Sequence, residues 1–192
     1  MPEQALILAS SSPRRHTLLD RCGVPFAIVV AAVDESVKPG ESASDYVRRL
    51  ALAKALAVHE RHPASFVLGA DTTVVADDRI LGKPEDAGEA RAMLRDLSGR
   101  QHEVMSAVAM VSPDGRRMER LSVTEVEFSI LPEAWIEAYV TSGDCMDKAG
   151  AYGIQNEAGL WIRRLSGSYT GVVGLPLFET TDLLRESGLL TF

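Results

Sequence analysis

Short apolar runs alternate with longer amphipathic stretches along the chain. Apolar runs bounded by turn residues are typical of buried strands, whereas apolar residues at helical spacing indicate helices. The predicted strands span residues 5–9, 26–33, 66–76, 101–111 and 118–130, and the predicted helices follow Pro13 and span about 44–59, 86–97, 132–142 and 176–188. Because strands and helices alternate early in the chain, this order predicts an α/β fold with a mixed sheet and helices.

The turn Pro113-Asp114-Gly115 separates two of these strands and predicts a hairpin in the middle of the chain. In the second strand of the hairpin the apolar alternation changes phase, from Leu121 and Val123 to Val126. A β-bulge near residues 124–125 would explain the change, because a bulge inserts one extra residue into a strand.

Composition narrows the class of protein. The 192 residues suffice for one domain, and 20 Lys and Arg against 27 Asp and Glu give a net charge of −7. An acidic balance argues against binding to long nucleic acid or a membrane surface, and no apolar run approaches the ~18 residues of a membrane span. The N-terminus lacks the features of a signal peptide, and Cys22 and Cys145 lie far apart, outside any C-x-x-C or zinc-type spacing. We therefore expect a single domain over residues 1–192 in a reducing cytoplasm.

Hydroxyl and basic side chains cluster at 10–15, where the first strand turns into a helix. Ser12 stands at the N-cap position and Pro13 at the first helical position. The free N–H groups of the helix start and the guanidinium groups of Arg14 and Arg15 would favour an anion such as phosphate. The alternative is an ordinary N-cap followed by arginines that face solvent.

Two carboxylates are candidates for chemistry. Asp71 lies in the middle of the apolar run 66–76, where a carboxylate is costly unless it is paired or bound to a metal. The small neighbours Gly69 and Ala70 would let a ligand come close. A structural aspartate bonded to a nearby loop is the alternative. Glu35 follows the second apolar run, and its alternative is a solvated loop residue.

The chain has only four lysines, although it uses arginine freely. Lys54 falls on the apolar face of the helix predicted at 44–59, where it either serves a buried site or extends along the surface towards solvent. Lys83 lies between a glycine and a proline, so its backbone is rigid and could hold an ammonium against a phosphate. The other two lysines are Lys38 and Lys148.

Seven motifs occur in a fixed order along nearly the whole chain. They are Ser10-x-Ser12-Pro13-Arg14-Arg15, Val33-Asp34-Glu35, Ala53-Lys54-Ala55, Gly69-Ala70-Asp71-Thr72, Gly82-Lys83-Pro84, the segment 147–155 (DKAGAYGIQ) and the segment 172–177 (VVGLPL). Together they resemble the Maf proteins, also called septum formation inhibitor proteins, which are nucleoside triphosphate pyrophosphatases. The resemblance implies an α/β fold similar to that of the inosine triphosphate pyrophosphatases, with two lobes flanking a cleft.

Within this family, Arg14, Thr72 and Gln155 resemble the branch that cleaves dTTP and UTP, and the resemblance makes them the residues that read the base. It implies attack of water at the α-phosphorus, which gives the monophosphate and pyrophosphate. The resemblance also implies two cellular roles: removal of modified pyrimidine nucleotides from the nucleotide pool and a part in cell-division arrest. Two alternatives stay open: a pyrophosphatase acting on 7-methyl-GTP, and a nucleotide-binding regulator of septation without turnover.

The resemblance also implies the roles of the other site residues. The implied catalytic residues are Asp71, Glu35, Lys54 and Lys83, and the implied phosphate ligands are Ser12 and Arg15. Asp71 would accept the proton of the attacking water. Glu35 and Asp71 would bind a divalent cation, Mg²⁺ or Mn²⁺, since these metals prefer hard oxygen ligands. A homodimer is a further expectation from the family.

One position departs from the family pattern: Gly171 stands where many members have Asn. Three of the four lysines fall in the motifs, together with Arg14 and Arg15. We therefore expect positive charge to collect in one cleft of an acidic surface, which suits a small charged nucleotide. The role of Lys148 stays open, because it could also be a structural ion-pair partner of Asp147.

Overall fold

The computed structural model describes residues 6–191, so residue 5 of the first predicted strand lies outside it. Seven strands form one sheet in the order β2-β1-β3-β5-β6-β7, with β4 paired to β3 beside this path. The strands are β1 Leu6–Leu8, β2 Phe26–Ile28, β3 Phe66–Ala76, β4 Arg79–Leu81, β5 Gln101–Val111, β6 Arg117–Phe128 and β7 Ile162–Ser166. The helices are α1 Pro13–Asp20, α2 Ala43–His59, α3 Ala87–Leu97, α4 Glu133–Ser142, α5 Tyr169–Val173 and α6 Leu177–Glu186. The predicted α/β class with a mixed sheet is confirmed, since β1 pairs in parallel with β2 and β3 whereas the other pairs are antiparallel.

The long strand β3 has one continuous edge and one interrupted edge. On the continuous edge, β5 pairs with β3 from Val67 to Val75. On the other edge, β1 pairs with Phe66–Leu68 and β4 pairs with Val74–Ala76. Within the described part of the chain, residues 69–73 have no strand beside them on that edge. The middle of β3, which carries Asp71, therefore borders a gap in the sheet.

Two hydrophobic cores lie at the two ends of β3. The first joins β1 and the start of β3 to α1 and α6, and it contains Leu8 and Leu68. The second joins the end of β3 to α3 and α4, and it contains Val74, Leu94 and Tyr139. The interrupted edge of β3 lies between these two cores, which is the arrangement expected of two lobes flanking a cleft.

Helix α2 brings Lys54 to the sheet. The helix begins where the hydroxyl of Ser42 accepts a hydrogen bond from the Asp45 N–H at 3.1 Å, a normal N-cap. A Cβ atom at Gly69 would lie only 2.1 Å from the carbonyl oxygen of Ala51. The expectation that small residues at 69–70 admit a ligand is therefore wrong for Gly69, because the backbone of α2 fills that space.

The predicted bulge near residues 124–125 is wrong. β5 and β6 pair in unbroken register from Gln101 opposite Glu127 to Val111 opposite Arg117. Ser122 and Thr124 are buried, whereas Val123 is 44% exposed, so polar side chains occupy the inner face of this strand. The Thr124 hydroxyl accepts a hydrogen bond from the Ser168 N–H at 2.9 Å. The inner face, which also carries Val126 and Phe128, thus includes a polar residue that binds the segment leading into α5.

Several short elements also differ from the prediction. The strand predicted at 26–33 covers only Phe26–Ile28. The sequence pattern did not indicate β7, α5 or the short 3₁₀ turns at Ala149–Ala151 and Glu157–Trp161. Among residues 6–191, none of the helices combines the length and apolar character needed to cross a membrane.

Candidate active site

A cleft of about 1130 Å³ opens at the interrupted edge of β3. All nine candidate residues named from the sequence line it: Ser12, Arg14, Arg15, Glu35, Lys54, Asp71, Thr72, Lys83 and Gln155. They lie up to 143 positions apart in the chain, from residue 12 to residue 155, and the fold brings them to one place. The cleft is therefore the candidate active site.

Two carboxylates share one ammonium group at the centre of the cleft. Lys54 Nζ lies 2.7 Å from Asp71 Oδ1 and 2.7 Å from Glu35 Oε1. The side chains of Lys54 and Asp71 are about 10% exposed, whereas that of Glu35 is 50% exposed. The hydroxyl of Tyr46 on α2 donates to the carbonyl oxygen of Glu35 at 3.0 Å and so fixes the backbone of that loop. The helix α2 therefore positions both the shared ammonium and the second carboxylate.

The surroundings move the pKa values of the two carboxylates in opposite directions. Burial raises the pKa of Asp71 above its ordinary value, and the nearby charges of Lys54 and Arg15 reduce this effect without reversing it. Partial burial acts to raise the pKa of Glu35, but its hydrogen bond to Lys54 and the charges of Lys54 and Lys83 outweigh it and lower the pKa. Asp71 is thus the stronger proton acceptor, and Glu35 stays ionised. Such a separation is typical of carboxylates with different roles in one site.

The same two carboxylates fit a divalent cation. Both approach one point, the Lys54 ammonium, within 2.7 Å, and both offer hard oxygen ligands. Within residues 6–191 there is no group of three or more His, Cys, Asp and Glu side chains placed to hold a metal. Mg²⁺ commonly uses one or two protein carboxylates and takes its other ligands from substrate phosphates and water. The donor set at Glu35 and Asp71 therefore suits Mg²⁺ or Mn²⁺.

Arg15 reaches the cleft from the first turn of α1. Its Nε donates to the Gly174 carbonyl at 2.7 Å, whereas its contacts to Thr72 and Ser10 are long, at 3.4 and 3.5 Å. Burial lowers the pKa of Arg15 from its ordinary value. A half-buried guanidinium whose other contacts are long is prepared to bind an anion.

Ser12 and Lys83 complete this basic end of the cleft. Ser12 is the N-cap residue of α1, but its hydroxyl makes no capping hydrogen bond. Pro13 follows at the first helical position, as the sequence predicts. Lys83 is exposed on the loop after β4, and its charge acts on Glu35. The hydroxyl, the ammonium and the helix start are thus available to a phosphate group.

Ser106 is a buried residue that supports the site and that the sequence reasoning missed. Its hydroxyl donates to the Gly171 carbonyl at 2.6 Å and lies 2.8 Å from the hydroxyl of Thr72. Because the Ser106 proton is used at Gly171, the Thr72 hydroxyl donates to Ser106 and accepts from Arg15. Thr72, expected to read the base, therefore also helps to orient Arg15. A serine within the apolar strand 101–111 was the only signal of this role.

The position that departs from the family pattern takes part in the same chain of hydrogen bonds. Gly171 contributes its carbonyl to Ser106, and its N–H donates to the Ser168 hydroxyl at 3.0 Å. A Cβ atom at this position would lie 3.2 Å from Ser168 Cβ. The backbone of Gly171 thus has a clear structural role that does not depend on a side chain.

Arg14 and Gln155 lie on another wall of the cleft. Arg14 Nη1 donates to Asp147 Oδ2 at 2.9 Å and so joins the start of α1 to the loop that follows α4. Gln155 is exposed on that same loop.

Basic residues gather in the cleft, but carboxylates accompany them. Its lining includes the basic residues Arg14, Arg15, Lys54, Lys83 and Lys148 and the acidic residues Glu35, Asp71, Asp144 and Asp147, whereas Lys38 lies elsewhere. Five positive charges against four negative ones make the cleft less acidic than the chain as a whole, whose net charge is −7.

Comparison with known proteins identifies relatives along nearly the whole chain. A dTTP/UTP pyrophosphatase of Hahella chejuensis is 51% identical over 187 residues, which cover 96% of this chain and 92% of that protein. A dTTP/UTP pyrophosphatase of Methylobacillus flagellatus is 53% identical over 186 residues, covering 96% and 93%. Among solved structures, a nucleoside-triphosphatase / dITP/XTP pyrophosphatase of Mycobacterium abscessus aligns with a TM-score of 0.44 and 19% identity over 67% of this chain and 76% of that chain. The family model described as Maf-like protein matches residues 5–187, and the chain therefore belongs to the Maf-like protein family.

Proposed function

We propose that this protein hydrolyses dTTP and UTP to the nucleoside monophosphate and pyrophosphate. The observation that carries the proposal is the cluster of Asp71, Lys54 and Glu35, joined by two 2.7 Å contacts, in a cleft that also presents Arg15 and Lys83. The names of the relatives from Hahella chejuensis and Methylobacillus flagellatus support the choice of substrates.

The triphosphate binds at the basic end of the cleft. Arg15 and Lys83 supply positive charge, and the start of α1 at Ser12 supplies N–H groups and a hydroxyl. Arg15 is held by Gly174, so its guanidinium is oriented before the substrate arrives. Groups oriented in advance stabilise the charge that develops on the phosphates without a cost of reorganisation.

Asp71 then acts as the proton acceptor. A water molecule attacks the α-phosphorus while Asp71 accepts one of its protons, and the bond from the α-phosphorus to the oxygen bridging to the β-phosphorus breaks. Pyrophosphate leaves with the electron pair of that bond. The raised pKa of Asp71 strengthens it as a base, and Lys54 at 2.7 Å fixes its orientation.

Glu35 and Asp71 would hold the divalent cation, Mg²⁺ or Mn²⁺. When bound, such a cation neutralises phosphate charge and makes nearby water more acidic. The lowered pKa of Glu35 keeps this carboxylate ionised and ready to act as a ligand.

Gln155, Arg14 and Thr72 read the base. The amide of glutamine offers one acceptor and two donor hydrogens, which matches the adjacent N–H and C=O groups of uracil or thymine. A base with a different pattern leaves these groups unpaired, so the enzyme rejects it.

A screen of nucleoside triphosphates with the purified protein tests this proposal. dTTP, UTP, CTP, GTP and 7-methyl-GTP are each supplied with Mg²⁺ or Mn²⁺, and the release of pyrophosphate and of monophosphate is measured. We expect turnover of dTTP and UTP with one pyrophosphate per monophosphate. Release of orthophosphate, or a preference for 7-methyl-GTP, contradicts the proposal. Nucleotide binding without turnover points instead to a regulator of septation.

A further inference from the structure

Lys148 lines the cleft, but its ammonium is not available to a phosphate. The side chain is 9% exposed, and its Nζ donates to the carbonyl oxygen of Asp144, to Asp144 Oδ1 at 3.1 Å and to Asp147 Oδ1 at 2.7 Å. An ammonium has three N–H donors, so all three are in use. Its stem lies against Gly153, where a Cβ atom would come within 2.7 Å of Lys148 Cε. Lys148 is thus built into the loop that follows α4.

Asp144 extends this network to both sides of Gln155. Asp144 Oδ1 accepts from Asn156 Nδ2 at 2.7 Å, and Asp144 Oδ2 accepts from the Tyr139 hydroxyl at 2.8 Å. The same hydroxyl accepts from the Gly153 N–H at 3.2 Å. Gly153 and Asn156 lie on either side of Gln155 in the chain. The network therefore holds the loop before and after the residue that reads the base.

Asp147 connects the network to Arg14. Its Oδ1 accepts from Lys148 and its Oδ2 accepts from Arg14 Nη1 at 2.9 Å. One carboxylate is thus shared between Lys148 and a second residue of the base-reading set. Ala151 in the same loop has φ +60°, a conformation disfavoured for alanine that persists only where surrounding contacts maintain it.

We propose that Lys148 is a positioning residue for base recognition. Through Asp144 and Asp147 it holds Gln155 and Arg14 in the geometry that distinguishes uracil and thymine from other bases. The proposal rests on the proposed function, because it concerns the base preference of that same site. On this proposal Lys148 fixes the loop that carries Gln155 and does not bind the phosphates of the substrate.

The substitution Lys148→Met tests the proposal, because it keeps the stem that packs on Gly153 and removes the three donors. The expected result is a fall of about tenfold or more in the ratio of kcat/KM for UTP to kcat/KM for CTP, since misplacement of a positioning group has effects of this size. The matched control is Arg91→Met, which breaks the ion pair of Arg91 with Glu137 outside the cleft lining and should leave the ratio unchanged. An equal fall for UTP and CTP in Lys148→Met overturns the proposal.

Hydrogen–deuterium exchange gives a second readout that needs no turnover. We expect the amides of residues 143–158 to exchange faster in Lys148→Met than in the wild type or in Arg91→Met. If Lys148→Met does not fold, Asn156→Ala removes one hydrogen bond to Asp144 from an exposed residue and should change the exchange and the ratio in the same direction. Unchanged exchange of this loop overturns the proposal. A wild type inactive on dTTP and UTP overturns the proposed function instead, and the exchange result still decides the role of Lys148 in the loop.

Discussion

Asp71 and His102 are both buried ionisable residues, and their neighbours give them different roles. Asp71 lies 2.7 Å from the Lys54 ammonium and faces the cleft. His102 lies in the second core, stacked on Phe128, with Nε2 2.7 Å from the Tyr152 hydroxyl. A charged partner and access to the cleft thus make Asp71 the candidate for chemistry, whereas its aromatic neighbours make His102 part of the core.

Asp71→Asn should abolish most of the turnover and leave the fold intact. Asparagine keeps the shape and can accept from Lys54, but it cannot accept a proton from water. Loss of a general base costs roughly 10²- to 10⁴-fold in rate. Pyrophosphate release from dTTP and the melting temperature are the two measurements.

The matched control for this change is Asp77→Asn. Asp77 lies in the turn between β3 and β4, pairs with Arg100 at 2.5 Å and is not part of the cleft lining. Its φ of +48° also suits asparagine. Equal activity of the two variants would show that Asp71 is not the base.

In His102→Gln, the free energy of unfolding should fall less steeply with decreasing pH in mild acid than in the wild type. Burial lowers the pKa of His102 to about 4, whereas the unfolded chain has a pKa near 6.5. As the pH falls, the unfolded state therefore binds the proton first. The contribution of the neutral His102 to the free energy of unfolding is complete above about pH 6.5 and is lost as the pH falls towards 4. At about pH 4 the free energy of unfolding has fallen by at most about 3 kcal/mol through this group.

Urea unfolding of the wild type and of His102→Gln at several pH values measures this effect. Glutamine does not titrate and can still bond to the Tyr152 hydroxyl, so the difference between the two proteins isolates the imidazole. Parallel decline of the two free energies of unfolding between pH 6.5 and 4.5 would rule out the assignment.

At the scale of elements, the contact between α2 and β3 determines the geometry of the site. The helix supplies Lys54 and the strand supplies Asp71, and the two backbones meet at Gly69. A Cβ atom there would lie 2.1 Å from the Ala51 carbonyl and 2.8 Å from the Ala55 nitrogen. Both close contacts are to backbone atoms, so the helix itself would have to move.

Gly69→Ala should therefore lower both stability and turnover. Overpacking of this kind costs roughly 1–3 kcal/mol, and displacement of α2 moves Lys54 relative to Asp71. Denaturant unfolding and pyrophosphate release are the measurements. The control is Gly88→Ala in α3, where the nearest atom to the new Cβ is an Asp86 side-chain oxygen at 3.1 Å, and where we expect a change below about 1 kcal/mol. Full activity and stability in Gly69→Ala would contradict the close packing.

The sequence predicted the elements well where burial follows a regular period. The apolar runs at 66–76 and 101–111 match β3 and β5, and the helix predicted at 44–59 differs from α2 by one residue at its start. The pattern failed at β6, because the polar residues Ser122 and Thr124 face inward and Thr124 binds a distant segment. Local alternation cannot show a polar partner that is more than 40 residues away.

The site shows the same limit. The motifs placed nine residues in the cleft correctly, since each motif contains a side chain whose chemistry stands out locally. They did not indicate Ser106 or Asp144. Ser106 acts through Gly171 and Thr72, and Asp144 acts through Lys148 and Asn156, so these roles exist only once the fold brings the partners together.

At the scale of the whole molecule, the cleft draws its groups from both sides of the gap in the sheet. Arg15 comes from α1 beside the first core, whereas Lys83 comes from the loop after β4 beside the second. A triphosphate that contacts both groups connects the two cores. Binding of the triphosphate should therefore stabilise both cores together against unfolding.

A non-hydrolysable α,β-methylene analogue of dTTP with Mg²⁺ should therefore raise the melting temperature. At a ligand concentration of 100 times Kd the expected stabilisation is about 2.7 kcal/mol, which corresponds to roughly 5–10 °C for a chain of this size. Lys83→Gln should reduce this shift, whereas Lys38→Gln, outside the cleft lining, should not. The same reduction in both variants would indicate a general effect of charge.

The interrupted edge of β3 leaves two of the three residues proposed for selectivity outside the strand proposed for the chemistry. Nine residue pairs with β5 hold the strand that carries Asp71 and Thr72 from one side, whereas Arg14 and Gln155, which are proposed to read the base, lie on a helix start and a loop that line the cleft. An engineer can therefore vary those walls and leave the reactive strand untouched. New nucleotide preferences can then be sought at a helix start and a loop, so the same scaffold can be adapted to other triphosphates.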